Sequence, residues 1–79
     1  MTGAPLSKEA SRELRSRLVV LRNRRGVVRS EMAERVGVPA TTLDCWEHGT
    51  AVPSLAELLA VARALDVDVA VLVRGLDLL

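Results

Sequence analysis

At 79 residues the chain has room for one small domain and excludes an assembly of modules. A composition of 49% hydrophobic and 27% charged residues excludes disorder, and the core that so short a chain can bury, with a typical stability of about 4 to 12 kcal/mol, leaves little surplus for the strained geometry of a large enzyme pocket. The net charge is only +1, yet eight arginines face three glutamates between Ser11 and Val36, while two arginines face six acids from Gly37 onward, so one half offers a basic face to a polyanion.

Glycine and proline divide the chain into five segments, each read as a helix. The first runs from a Ser7 N-cap to about Arg24, with Ala10, Leu14, Leu18 and Leu21 on one face, and Gly26 supplies its left-handed end. The second, Arg29 to Val36, places Met32, Ala33 and Val36 on one side and stops at Gly37. The third, about Ala40 to His48, turns Leu43 and Trp46 inward and stops at Gly49. Ser54 and Glu57 form a capping box for the fourth, whose expected stripe is Leu55, Leu58, Leu59, Ala62 and Leu65. Asp68 is the expected N-cap of the fifth segment, where Val67, Val69, Val71 and Val73 alternate with Asp68, Ala70 and Leu72, a pattern that favours a strand. Helix is the preferred reading because the other four segments offer no sheet to join. The expected organisation is a flexible N-terminus over 1–6, a helical domain over 7–75 and an apolar tail over 76–79.

With Phe and Tyr absent, Trp46 is the single aromatic residue, so the core must be aliphatic and no platform exists for stacking unpaired bases. Trp46 itself is expected in the core. Cys45 alone cannot form an internal disulfide, and no thiol and imidazole groups share metal-ligand spacing. Neither a metal nor a cofactor is expected, and the setting reads as a reducing cytoplasm. The sequence has no apolar run of membrane-spanning length and no signal-peptide core. Nothing assembles a nucleophile, base and oxyanion site, so the chain does not read as an enzyme.

Short helix, Gly-centred turn and short helix, framed by further helices, is the helix-turn-helix arrangement. Ala33 is small enough to let the pair cross closely, and Gly37 can take the positive φ of the turn. From Leu18 to Val73 the chain resembles the Cro/phage-repressor (Xre) family. The resemblance is carried by Glu31-Met32-Ala33-Glu34-Arg35-Val36-Gly37-Val38, Trp46-Glu47-His48-Gly49, Pro53-Ser54-Leu55 and Ala64-Leu65-Asp66-Val67. It implies an all-α, compact five-helix lambda-repressor-like DNA-binding domain that reads double-stranded DNA, usually as a homodimer on a two-fold operator. It also implies base-reading positions at Ala40, Thr41, Thr42, Asp44 and Cys45, a backbone clamp at Arg29, and a structural pairing of Arg22 with Glu47.

The departures from the family pattern carry information. Val28-Arg29 opens the second helix where many relatives have Thr-Gln, which removes a side-chain N-cap and supplies a charged phosphate donor. Pro39 replaces the usual Ser before the third helix. The reading positions hold no Gln, Asn, Arg or Lys, the side chains that contact purines bidentately, and Thr50 and Ala51 lack the basic residue often found there. A weak or unusually selective reader is expected. Arg24 and Arg25 are expected to join Arg29 along a phosphate-contacting edge, and His48 to place a favourable charge near a helix C-terminus.

Val71, Val73, Leu76, Leu78 and Leu79 exceed what one small domain covers easily. They are read as a two-fold dimer interface, by helix against helix or by paired strands, with packing back on the first helix as the plain alternative. For the whole chain the alternative to a DNA-binding repressor is a protein-interaction module on the same fold, of an antitoxin-like or phage type.

Overall fold

Five helices follow in the expected order in the computed structural model, which describes residues 6–76: α1 (Lys8–Arg24), α2 (Arg29–Val36), α3 (Ala40–His48), α4 (Leu55–Leu65) and α5 (Ala70–Val73). Among the described residues the fold is all-α. Residues 1–5 of the expected N-terminal segment, and Leu78 and Leu79 of the expected tail, lie outside them.

The helices begin in two ways. Ser7 accepts a hydrogen bond from the Ala10 amide at 3.0 Å, and Ser54 and Glu57 close a reciprocal capping box at 3.1 and 2.8 Å. By contrast, α2 and α3 begin at Val28 and Pro39 with no side-chain cap, so the first amides of both helices have no partner from that source. These two helices end alike, at Gly37 (φ 88°) and Gly49 (φ 83°), left-handed positions where a Cβ would be strained.

The core lies between α1 and the other helices. Leu14 and Leu18 of α1 meet Met32 and Ala33 of α2, Leu43 and Trp46 of α3, the inner face of α4, and Leu72 of α5. α2 packs against both α3 and α4, while α1 carries α3 and α5. Ala33 is buried in the core cluster.

Two stripes differ from expectation. In α4 the buried positions are Leu58, Val61, Ala62 and Leu65, whereas Leu55 and Leu59 are 69% and 43% exposed. The helix is apolar on more than one side, so two stripes satisfy its period, and packing against α2 selects the one containing Val61. In α5 the alternation of valines is not the operative pattern. Val69, Leu72, Val73 and Leu76, spaced three, four and seven apart, face the core, and Val71 remains outside. Asp68 Oδ1 accepts from the Ala70 amide at 2.9 Å and starts the turn.

The arginines of α1 bind the ends of the other helices. Arg15 Nη1 donates to the His48 carbonyl at 3.0 Å, closing α3 beside Gly49. Arg17 Nη1 donates to the Leu72 and Arg74 carbonyls at 3.1 and 2.8 Å, closing α5, while its Nε pairs with Glu13. Arg25, just past α1, reaches the Asp66 carbonyl at the end of α4 at 3.4 Å. Unsatisfied carbonyls and the negative end of the helix dipole make each helix C-terminus a site for a cation, and α1 supplies two of them and the residue after it a third.

Candidate nucleic-acid interface

α3 has two unlike sides. Leu43 and Trp46 are 1% and 3% exposed and fix the helix to the core. Ala40 and Thr41 are exposed, and Thr42, Asp44 and Cys45 are partly so. All five expected reading positions therefore keep solvent access on one short helix, with a methyl, two hydroxyls, a carboxylate and a thiol as their chemistry. Among the described residues no trio of His, Cys, Asp and Glu is placed to hold a metal ion, and no helix is long and apolar enough to cross a membrane.

The position of α3 is set by one carboxylate. Arg22 of α1 donates to Glu47 from Nε at 2.7 Å and from Nη2 at 3.0 Å, and its Nη1 donates to the Val27 carbonyl at 2.9 Å. Arg29 of α2 donates to the same carboxylate from Nε at 2.8 Å. The Glu47 side chain is 2% exposed, so three helices are tied by one buried anion and two cations. Burial alone would raise the Glu47 pKa, but the hydrogen bonds and charges of Arg22 and Arg29 outweigh it and hold the group below the ordinary carboxylate range. Arg29 is pushed up in turn, first by its hydrogen bond to Glu47, then by the Glu47 charge, with a smaller contribution from Asp44.

Arg29 therefore has two sides as well. Its Nε holds Glu47, while half of its side chain faces solvent beside α3. Arg24 and Arg25 stand elsewhere: Arg24 lines a groove with Val71 and Arg74 along α5, and Arg25 lies with Asp66 beyond α4. The structure does not bring these two to α3. His48 is exposed with Nδ1 2.7 Å from the Asp44 carbonyl, one turn back in the same helix.

At the expected dimer surface, Val71 is 37% exposed and stands beside Val20, which is 42% exposed, across the groove between α1 and α5. Val73 and Leu76 pack against the core cluster. Arg15 and Arg17 had no distinguishing sequence signal, because the carbonyls they bind are 33 to 57 residues away along the chain.

A family model described as a helix-turn-helix domain matches residues 13–74. The chain belongs to that family, and the Cro/phage-repressor resemblance is consistent with it. Among solved structures, the restriction-modification controller protein C.AhdI from Aeromonas hydrophila is similar with a TM-score of 0.73 and 28% identity, over 76% of this chain and 91% of that one. A hypothetical transcription factor, NHTF from Neisseria, shares the fold with a TM-score of 0.77 and 23% identity, over 92% of this chain and 86% of that one. No curated protein sequence matches the chain. Family and fold together support a DNA-binding regulator of transcription.

Proposed function

We propose that this helix-turn-helix protein binds a two-fold operator in double-stranded DNA as a homodimer and represses transcription by occlusion. The observation that carries the reading is the division of α3, with Leu43, Trp46 and Glu47 held inside while Ala40, Thr41, Thr42, Asp44 and Cys45 keep solvent access on a helix that α1 and α2 fix in place. Two copies would set α3 into successive major grooves about 34 Å apart, and the bound dimer would deny polymerase its site.

The two threonines each offer one hydroxyl, and their methyls suit thymine, as does Ala40; Asp44 accepts from cytosine N4. Phosphate contacts come from the outer edge of Arg29 and from the amides that open α2, which carry no side-chain cap and sit at the positive end of the helix. We leave Arg24 and Arg25 out of this interface because their surroundings are α5 and the end of α4. The dimer forms across the groove between α1 and α5, with the exposed Val20 and Val71 at its centre.

Selection from a randomised duplex pool tests the reading, with Thr41→Ala beside the native chain. The native chain enriches a two-fold motif, and Thr41→Ala alters preference at one position in each half-site; enrichment of nothing by the native chain would overturn it. A protein-interaction module on the same fold is the second reading, favoured by the outward-facing Leu55 and Leu59 and the absence of purine-reading side chains on α3. Binding through those leucines would resist salt, whereas binding through phosphate contacts weakens steeply as salt rises.

A further inference from the structure

Among the described residues, two surface depressions flank α1 and another lies beyond α4, and they differ in charge. The groove toward α5 contains Glu13 among its arginines, and the depression beyond α4 contains Glu31 and Asp66. The third, a cleft of about 200 Å³ between the first two turns of α1 and the loop after α3, is lined by Lys8, Arg12 and Arg15 with no carboxylate. Its opposite wall is Gly49, Ala51, Val52 and Pro53.

Most arginines of the basic half already have partners. Arg17, Arg22, Arg25, Arg29 and Arg35 each bind a carboxylate or a helix-end carbonyl, and Arg15 binds the His48 carbonyl. Lys8 and Arg12 form no ion pair among the described residues, and both are exposed. They stand one turn apart on the same face of α1. Arg15 anchors that face to the end of α3, so the two cations are fixed relative to the helix that reads bases. The nine residues of α3 span about 13 Å, and Arg15 sets the two cations beside the end of that helix opposite the residues that open it. The loop on that side has Thr50 and Ala51 and supplies no cation of its own.

We propose that Lys8 and Arg12, positioned by Arg15, bind the DNA phosphates flanking the site read by α3, so that α1 supplies the backbone contact its neighbouring loop lacks. The inference rests on duplex DNA being the ligand of α3. These contacts add affinity without adding sequence preference.

The test compares the native chain with the double variant Lys8→Gln, Arg12→Gln, which leaves Arg15 and its bond to His48 intact. Each binds the duplex that the native chain selects, between 50 and 200 mM salt, with circular dichroism confirming equal folding. Loss of two phosphate contacts per protomer, four per bound dimer, reduces the slope of log affinity against log salt by roughly 3.6, so the native chain loses about a hundredfold more affinity over that range than the variant. Both proteins select the same motif, and on a duplex trimmed to the motif the difference disappears. An unchanged slope with the native motif retained would overturn the role of Lys8 and Arg12 alone. Absence of any duplex binding by the native chain would overturn both this role and the DNA-reading function.

Discussion

The scaffold helices and the reading pair begin differently. α1 and α4 open on serines whose hydroxyls cap the first turn, and α4 adds the reciprocal bond from Glu57. α2 and α3 open on Val28 and Pro39, run for eight and nine residues, and have no such local signal. Helices this short are marginal on their own, so the pair depends on tertiary anchoring, above all on Glu47 between Arg22 and Arg29. The lesson is that a scaffold can be specified locally while its functional pair is held by contacts distant in sequence, leaving the amides at the start of α2 free of side-chain competitors.

That contrast can be broken most severely at Glu47. Glu47→Ala leaves Arg22 buried without its carboxylate and is expected to destabilise the fold by about 3 to 5 kcal/mol, measured by denaturant unfolding with the fluorescence of buried Trp46. Acid should reach the same link. Glu47 has a folded-state pKa below its unfolded value of about 4.3, so its stabilisation is complete above that pH and is lost as pH falls through the folded value. Denaturant titrations from pH 6 to about pH 3 should show a decline below about pH 4.3 that Glu47→Gln lacks.

The scaffold side is tested by Ser54→Ala, with an expected loss of about 1 kcal/mol on chemical denaturation. Its mirror image is Val28→Ser, which gives α2 the cap it lacks; Val28 is extended and 62% exposed, so a gain of about 0.5 to 1 kcal/mol is expected in the same assay. Loss of stability on adding that cap would mean that the start of α2 is not a vacant capping site. Arg29→Ala has the smallest effect on unfolding, because Arg22 still holds Glu47 through two bonds and Arg29 is half-exposed.

Local features were legible in the sequence. Ser7, Ser54 with Glu57, Gly37 and Gly49 act within a few residues of themselves, and the helix limits follow from them. The stripe of α4 was not legible, because Leu55 and Leu59 are as apolar as Val61 and only contact with α2 distinguishes them. In α5 the alternating valines concealed the spacing of Val69, Leu72, Val73 and Leu76.

Charge was the least legible feature. The arginine-rich half reads as a basic face, with Arg24 and Arg25 beside Arg29 on a phosphate-contacting edge, yet Arg15, Arg17 and Arg25 bind the ends of α3, α5 and α4. A count of charges does not reveal which helix ends lie nearby. At the interface, positions 40–45 were indicated by family resemblance, and the double role of Arg29 depends on where α2 sets it relative to Glu47.

The most direct measurement is amide chemical-shift mapping as the selected duplex is added to isotopically labelled protein. Shifts concentrated at Arg29 to Glu31 and Ala40 to Cys45, with Val61 to Leu65 unmoved, are the result expected if the outward side of α3 reads DNA. Shifts confined to the face bearing Leu55 and Leu59, with Ala40 to Cys45 silent, would contradict it.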